Sequence, residues 1–241
     1  MSSHTNNIQP ATPSALSRSQ RAASLLFLLF FSLGGCCLAV SRERLAVACS
    51  AEGTGPTPKF CVVTPNVLWA GGRPDRNDAS WLIEQGIKTV VDLELLHNDK
   101  AVFANAMVDP SKTYSLAYYQ VRDWEPLPMI APSLEDDRVV QVLAITTREP
   151  APVFLHCRCG MKRAALMVAA HRVVIEGRSA ESAIHEMSRY GGAWSGPDSR
   201  YILSLSKRRE EMQRRVAEWV VKLKRDADIT CKGGRCTVVS P

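Results

Sequence analysis

The sequence predicts an α/β fold in which a central, mostly parallel sheet is flanked by helices. Two short runs, residues 88–94 and 153–155, carry consecutive apolar residues, as strands buried on both faces do. Longer segments, chiefly 163–176 and 197–224, have apolar residues at helical spacing. Strands that alternate with helices favour a sheet covered by helices. At 241 residues and 46% hydrophobic content, the chain is long enough for one substantial core.

The first forty residues are predicted to lie outside this core. Residues 1–21 are rich in Ser, Thr, Asn and Pro and end in a basic stretch, a composition typical of disorder. Residues 22–40 are uncharged and apolar, and with the arginines before them they resemble a secretory signal. Cys36 ends a lipobox-like Leu-Gly-Gly-Cys and is a lipidation candidate. An uncleaved membrane anchor and cleavage after Ala48 remain open alternatives.

Export also suits the eight cysteines. Cys49 and Cys61 flank one Gly- and Pro-containing loop, and Cys231 and Cys236 flank Lys-Gly-Gly-Arg, so each pair is a candidate local disulfide. Unpaired thiols are the alternative. Two ligands rarely suffice for structural zinc, so no metal is expected at the second pair. We therefore expect an exported or membrane-anchored protein, on the bacterial periplasmic side.

The elements of the predicted domain, residues 63–226, follow a linker at 41–62. In chain order its first half contains a strand at 67–69, a turn at 71–75, a helix capped by Asn77 or Asp78 and ending at Gln85, a strand at 88–94, an irregular stretch at 95–112 and a strand at 118–121. Gly86 is expected to stop the first helix.

The second half begins with a helix that Ser133 is expected to cap. Glu135, Asp136 and Asp137 fall in its first turn, where acidic residues suit the helix dipole. The remaining predicted elements are a strand at 153–155, a helix at 163–176, a helix from Ser179 to Tyr190, a long helix at about 197–224 and a Cys-containing C-terminal tail at 227–241.

The net charge of +6 and a pI near 9.0 favour anionic partners. The sequence shows no zinc-finger spacing and no RNA-binding aromatic motif, so nucleic acid is not an expected partner. No cofactor is expected either. Phosphorylated molecules and anionic lipid remain as the classes of partner that the charge suggests.

The motif that carries chemistry is His156-Cys157-Arg158-Cys159-Gly160-Met161-Lys162-Arg163. If a strand ends before it and a helix begins at its end, residues 158–163 form a loop whose backbone N–H groups cradle a tetrahedral anion. Gly160 permits the tight turn, and the helix N-terminus with Arg163 would stabilise a thiolate at Cys157. Arg163 can grip two phosphoryl oxygens with its planar fork. His156 either orients the loop by a hydrogen bond or is a buried structural residue.

This Cys-x5-Arg stretch resembles the phosphate loop of the protein-tyrosine and dual-specificity phosphatases. Residues 66–94 look like the opening segment of the bacterial dual-specificity group, and residues 167–192 resemble the helices that follow its loop. The resemblance spans about residues 63–210. It implies a phosphomonoester hydrolase that uses Cys157 as nucleophile through a phosphocysteine intermediate, and a substrate that is a phosphorylated protein or another anionic phosphomonoester.

Such an enzyme needs a general acid to protonate the leaving oxygen. The resemblance implies an Asp from a loop some thirty residues before the cysteine, and Asp123 lies in that position beside Trp124. Glu125 is a fallback. The other acids near that distance, Asp136, Asp137 and Asp109, are less suited because the first two read as first-turn helix acids.

Three features depart from the family pattern. Ala164 replaces the usual Ser or Thr after the arginine, which implies slow hydrolysis of the intermediate. Lys162 and Arg158 make the loop unusually cationic, which favours multiply charged substrates such as phosphoinositides or inositol phosphates. Cys159 either fills space or captures an oxidised Cys157.

Other functions remain open at this level. A pseudophosphatase would bind phosphorylated partners and turn over poorly, as Ala164 suggests. A redox or sulfur-transfer protein would use Cys157 and Cys159, although rhodanese-like loops are usually one residue shorter. A zinc protein using His156, Cys157, Cys159 and His171 is the weakest alternative, because a strand–loop–helix turn would not bring those groups together.

Overall fold

A computed structural model describes residues 57–188 and 196–241 of the chain. All of them belong to one compact unit, residues 41–241. The predicted signal or anchor at 22–40, Cys36 and the end of the helix predicted to reach Tyr190 lie outside the described residues. Within the described residues, no helix is both long and apolar enough to cross a bilayer.

Seven strands form one mixed sheet whose centre is parallel. The strands are β1 (Cys61–Thr64), β2 (Leu68–Gly72), β3 (Thr89–Asp92), β4 (Tyr114–Gln120), β5 (Val153–Cys157), β6 (Ala227–Lys232) and β7 (Arg235–Val239). Their spatial order is β1-β2-β5-β3-β4-β6-β7. The four strands from β2 to β4 in that order are mutually parallel, and the edge strands are antiparallel. The predicted fold class is confirmed.

Eight helices are described. They are α1 (Arg76–Glu84), α2 (Lys100–Ala104), α3 (Leu127–Ile130), α4 (Pro132–Arg148), α5 (Lys162–Val174), α6 (Ala180–Ser188), α7 (Gly196–Lys207) and α8 (Arg209–Val220). The cluster that contains α4, α5, α7 and α8 packs one face of the sheet. A smaller cluster around α1 and Phe103 of α2 packs the other.

The position of β5 explains why the motif after it is held firmly. All five of its residues are buried, and it pairs in parallel with β2 on one side and β3 on the other. A strand enclosed in this way needs side chains on both faces that are either apolar or hydrogen-bonded. The chain therefore leaves the centre of the sheet at Cys157 and enters the N-terminus of α5 five residues later.

The ends of the predicted domain differ from those observed. β1 begins inside the predicted linker at 41–62 and runs to Thr64; it pairs with β2, and its residues Cys61 and Val63 are buried in the core. Residues 227–241 are not a tail. They form β6 and β7, which extend the sheet beyond β4, and their alternating burial fits an amphipathic hairpin.

Three helical predictions also differ. The long helix predicted at 197–224 is two helices, α7 and α8, which separate at Arg208. The N-cap of α1 is Asp75, whose side chain accepts from two backbone N–H groups in a capping box with Asp78. Helix α4 begins at Pro132, so Ser133 lies inside its first turn and does not cap it.

Candidate active site

The centre of the site is the turn from β5 into α5. Cys157 is the last residue of β5 and is only 3% exposed. It is the one free thiol among the cysteines of the described residues. Lys162 and Arg163 open α5, so the loop between them and Cys157 lies at the N-terminus of a 13-residue helix. This is the arrangement that the motif predicts.

Gly160 is required by the path of this loop. Its φ of 65° is in the left-handed region that glycine favours, and a Cβ there would lie 2.5 Å from the backbone nitrogen of Gly72. The loop is thus pressed against the end of β2. The N–H of Arg73 donates to the carbonyl oxygen of Arg158 at 3.3 Å, which fixes the loop to the segment after β2.

Arg163 reaches from α5 to two neighbouring segments. Its Nη1 donates to the carbonyl oxygen of Leu93 at 2.8 Å and to that of Asp123 at 3.4 Å. Both bonds use the same nitrogen. Nε and Nη2 form the pair of donors that an arginine uses in bidentate contacts. Neither has a hydrogen bond to the described residues, so both are available for two phosphoryl oxygens.

Asp123 lies beside Arg163 but turns its carboxyl into the protein. The residue is 1% exposed, and Glu135 of α4, fully buried, shares its pocket. All four carboxyl oxygens lack a well-aligned hydrogen bond. The two groups nevertheless influence each other. Burial raises the pKa of Asp123 to about 6, against the opposing effect of Arg163, and burial together with Asp123 raises the pKa of Glu135 to about 10.

A pocket of about 220 Å³, including its open mouth, adjoins these groups. Its lining residues are Asp123, Glu125, Pro128, Glu135, Lys162, Arg163, Leu166 and Asp198. The pocket contacts the arginine end of the loop, and Cys157 is not among its lining residues. The pocket is therefore lined by four acidic and two cationic side chains.

The two extra cations of the loop lie in different environments. Lys162 forms an ion pair with Glu125, the fallback acid. Arg158 is exposed to solvent. The positive charge of Lys162 is therefore offset by a carboxylate, which reduces the cationic character that the sequence predicts for the pocket. Glu125 is in turn engaged with a cation and is a weaker candidate acid than the buried Asp123.

His156 is fully buried, and neither of its ring nitrogens has a hydrogen-bond partner among the described residues. The predicted hydrogen bond from its ring to the loop is therefore not formed. Its ring stacks on Phe154, with centroids 5.3 Å apart, and its backbone oxygen accepts from Leu93 N–H at 2.9 Å. Burial, assisted by Arg73, lowers the pKa of His156 to about 3, so the imidazole is neutral.

Cys159 is disulfide-bonded, and so is Cys61. Both sequence interpretations of Cys159 are therefore wrong, since it neither merely fills space nor has a free thiol with which to capture an oxidised Cys157. Cys231 and Cys236 form the predicted disulfide. The predicted partner of Cys61, Cys49, lies outside the described residues.

The other acids considered from the sequence have structural partners. Asp136 is bonded by Arg208 and Arg215 at 2.8 and 3.3 Å, and Asp137 by Arg215 at 2.8 Å. Asp109 is bonded by Ser111 in an exposed turn. These contacts fit the prediction that they are not the general acid.

Sequence reasoning missed two residues of the pocket, Glu135 and Asp198. Glu135 was interpreted as a first-turn acid, which its place in α4 fits, but its burial against Asp123 depends on tertiary packing. Asp198 opens α7 and carried no motif. One sequence feature distinguishes Glu135. It is the first of three consecutive acids and the one that lies on the apolar face of α4, but this feature does not by itself predict a site residue.

Comparison with known proteins adds a family assignment. Residues 60–199 match the model of a family described as DSP-PTPase phosphatase fused to NAD+ kinase. The dual specificity protein phosphatase TpbA of Pseudomonas aeruginosa strain UCBPP-PA14 is 26% identical over 163 residues, which is 67% of this chain and 67% of TpbA.

Solved structures of phosphatases share the fold. TpbA from P. aeruginosa in complex with phosphotyrosine superposes with a TM-score of 0.52 at 19% identity, over 72% of this chain and 99% of that one. The core catalytic domain of the S. cerevisiae PP-IP phosphatase SIW14, in complex with citrate, gives a TM-score of 0.54 at 16% identity, over 71% and 99%.

Proposed function

The chain belongs to the dual-specificity phosphatase family whose model it matches over residues 60–199, and on that premise we propose that it hydrolyses phosphomonoesters through a phosphocysteine formed at Cys157. That it is a cysteine-dependent phosphatase, a phosphoric monoester hydrolase, follows from the family. The observation that carries the assignment of residues is the position of the free Cys157 thiol at the end of a buried central strand, with Arg163 at the start of the following helix.

The first step transfers the phosphoryl group to sulfur. The Cys157 thiolate attacks phosphorus as the bond to the leaving oxygen breaks. Asp123, whose carboxyl must turn from its buried position toward the loop, gives that oxygen its proton. Nε and Nη2 of Arg163 bind two equatorial phosphoryl oxygens, and the positive charge of the arginine offsets the negative charge on those oxygens in the transition state. With its pKa raised to about 6, the Asp123 carboxyl holds its proton in about half of the molecules at pH 6, which suits an acid in this step.

The second step regenerates the thiol. Water attacks phosphorus, the phosphorus–sulfur bond breaks, and the carboxylate of Asp123 takes a proton from the attacking water. Inorganic phosphate leaves and Cys157 returns to the thiolate. In this chain Ala164 replaces the hydroxyl residue that the resemblance implies for stabilising that leaving thiolate, so we expect the second step to limit turnover.

We propose a phosphorylated protein as the substrate, of the tyrosine or dual-specificity type. TpbA, a dual specificity protein phosphatase, supports this choice, as does its complex with phosphotyrosine. The acidic lining of the pocket disfavours ligands that carry many phosphates, because Glu125 already neutralises Lys162.

An inositol-phosphate or phosphoinositide substrate is the second candidate. The fold shared with the PP-IP phosphatase SIW14 and the exposed Arg158 favour it. Turnover of a phosphotyrosine peptide and of an inositol polyphosphate should be measured side by side. A higher kcat/KM for the inositol compound, lost in Arg158→Gln, would replace the protein-type assignment.

The decisive experiment is the hydrolysis of p-nitrophenyl phosphate by the full chain at pH 6 with Cys157 kept reduced. We expect steady turnover that vanishes in Cys157→Ser and falls roughly a hundredfold or more in Asp123→Asn. Asp109→Asn is the matched control, since it makes the same exchange at an exposed turn, and it should behave as wild type.

Three other outcomes are informative. A burst of nitrophenol equal to one per chain, without steady release of phosphate, would identify a pseudophosphatase that forms the phosphocysteine and does not hydrolyse it. Activity that survives Cys157→Ser would disprove the proposed nucleophile. An inactive, folded and reduced wild-type chain that transfers sulfur from thiosulfate would move the assignment to the sulfur-transfer class.

We also propose that the protein is exported and attached to the membrane through residues 22–40 or a lipid on Cys36. Its support is the uncharged apolar run with arginines before it, together with the disulfide-bonded cysteines, which suit an oxidising compartment. Cell fractionation of wild type and Cys36→Ser tests this. Soluble cytoplasmic protein in both would contradict it.

A further inference from the structure

A cluster of four buried ligand-type side chains lies at the carboxyl ends of β3 and β5. Asp92 ends β3, Glu94 follows it, Asp99 precedes α2, and His156 is the penultimate residue of β5. Each offers one ligand atom, and these atoms all lie within 4.8 Å of one another. The mechanism proposed above uses none of them.

Three polar atoms at this cluster, both ring nitrogens of His156 and Oδ2 of Asp99, have no hydrogen bond to the described residues. His156 is 0% exposed, and its Nε2 lies 3.1 Å from Oδ2 of Asp99, yet the two atoms are not aligned for a hydrogen bond. Oδ2 of Asp99 has no other partner either. Unsatisfied buried polar atoms are costly, so a ring nitrogen and a carboxylate oxygen that face each other without bonding indicate a missing third group.

The other carboxylate oxygens of the cluster already have hydrogen-bond or ion-pair partners. Oδ1 of Asp99 contacts Nε2 of His97 at 2.7 Å, and Asp92 accepts from the Tyr118 hydroxyl at 3.0 Å and from the backbone of Glu94. Arg73 binds both oxygens of Glu94. Carboxylates that ligate metals are supported in this way by a surrounding layer of donors, which fixes their orientation.

The charges of the cluster also favour a bound cation. Asp92, Glu94 and Asp99 bring three carboxylates into a buried space, and Arg73 offsets one of them. An imidazole nitrogen is a common metal ligand, and both ring nitrogens of His156 lack a hydrogen bond to the described residues.

We propose that Asp92, Glu94, Asp99 and His156 bind one divalent transition-metal ion behind the phosphate loop. The 3.1 Å between His156 Nε2 and Asp99 Oδ2 is the separation of two ligands about 2.1 Å from one ion at an angle near 100°. Three carboxylates and one imidazole select Mn²⁺ or Zn²⁺ rather than Cu⁺, which prefers sulfur.

The ion would hold the phosphate loop in place and would take no part in the reaction. His156 immediately precedes Cys157, and Leu93, between Asp92 and Glu94, bonds both the His156 carbonyl and Arg163. A bound ion would therefore fix the two segments that hold the ends of the phosphate loop. This role is independent of the proposed reaction, so its test needs no turnover.

The test uses the full chain carrying Cys157→Ser, so that zinc bound to a reactive thiol is not counted. Metal content is measured by mass spectrometry after overnight incubation with MnCl₂ or ZnCl₂ and gel filtration, and melting temperature with and without the ion. We expect one ion per chain and a rise in melting temperature of about 5 °C at a hundredfold excess over the dissociation constant.

Asp99→Asn and His156→Gln, in the same background, should each lose the bound ion and the rise. Glu149→Gln is the matched control, because Glu149 is a buried carboxylate held by Tyr119, Arg148 and Arg225 outside the cluster. It should keep both.

Either of two results would overturn the proposal. The first is a folded Cys157→Ser chain that binds no ion and melts at the same temperature with either metal, which decides the matter even if the cluster variants fail to fold. The second is equal binding in Asp99→Asn, His156→Gln and Glu149→Gln, which would place the ion elsewhere on the chain.

Discussion

Arg163 and Asp123 are in direct contact, since Nη1 of Arg163 donates to the backbone carbonyl of Asp123 at 3.4 Å. The same nitrogen bonds Leu93 at the end of β3. The arginine that would grip the substrate thus also anchors the segment that carries the candidate acid. One side chain couples the phosphate loop, the central sheet and the acid loop.

The first prediction concerns this arginine. Arg163→Lys keeps the positive charge but removes the planar fork, so it cannot bond Leu93 and two phosphoryl oxygens together. We expect kcat/KM for p-nitrophenyl phosphate to fall by about a hundredfold or more. Arg178→Lys makes the same exchange on the loop after α5 and should leave the rate unchanged. Equal rates in Arg163→Lys and wild type would exclude the bidentate grip.

The second prediction concerns the pH dependence that Glu135 imposes on Asp123. The acid of the first step must carry a proton, so kcat/KM, which reports phosphoryl transfer to Cys157, should fall as pH rises through about 6. At that pH Glu135 keeps its proton, because its own pKa is raised, and its carboxyl can serve as a donor that lowers the pKa of Asp123. Glu135→Leu removes the donor. This should raise the pKa of Asp123 and move the alkaline limb of the pH–rate profile to higher pH.

Glu135→Gln provides the comparison for that experiment. Its amide is neutral and can donate, as the protonated Glu135 can, so its limb should stay close to that of wild type. The measurement is kcat/KM from pH 4.5 to 8.5 for the three proteins. A limb that moves equally in the Leu and Gln variants would mean that Glu135 acts on Asp123 as a charge and not as a donor.

The third prediction concerns the disulfide at the far edge of the sheet. Cys231 and Cys236 close a short loop, with a sequence separation of 5, around the turn of the β6–β7 hairpin. Replacing both with Ser should lower the free energy of unfolding by about 2 kcal/mol, as measured in urea. Two strands, β3 and β4, separate the hairpin from β5, so kcat should not change. A loss of activity in a folded double variant would refute this separation.

The sequence predicts the centre of the fold better than its ends, for physical reasons. The β5–α5 turn follows from a Val-Phe-Leu run, a glycine and a helical pattern, which are all local signals. The β6–β7 hairpin also has a local signal in the sequence. Residues 227–232 alternate between buried and exposed, and Gly233 and Gly234 both have positive φ, as two-residue hairpin turns require.

The rest depends on contacts between distant residues. The break at Arg208 contains no Gly or Pro, and Arg208 there bonds Asp136, 72 positions earlier. The pairing of Asp123 with Glu135 and the cluster around His156 likewise join segments whose spacing carries no pattern. Local propensity cannot reveal them, because tertiary packing decides which acids become buried.

The last prediction concerns Ala164, which lies directly after Arg163 in the first turn of α5 and is fully buried. A hydroxyl at this position would donate to the sulfur of Cys157 as it leaves phosphorus. Hydrogen bonds to charged groups contribute about 1.5–3 kcal/mol, so Ala164→Ser should speed hydrolysis of the phosphocysteine by about tenfold or more. The initial burst should shrink relative to steady turnover, because the second step would no longer be so slow. Ala165→Ser adds the same hydroxyl one position later, also in a buried site, and serves as the control. A similar gain in both variants would trace the effect to the helix, whereas no gain in Ala164→Ser, at an unchanged melting temperature, would show that departure of the thiolate does not limit turnover.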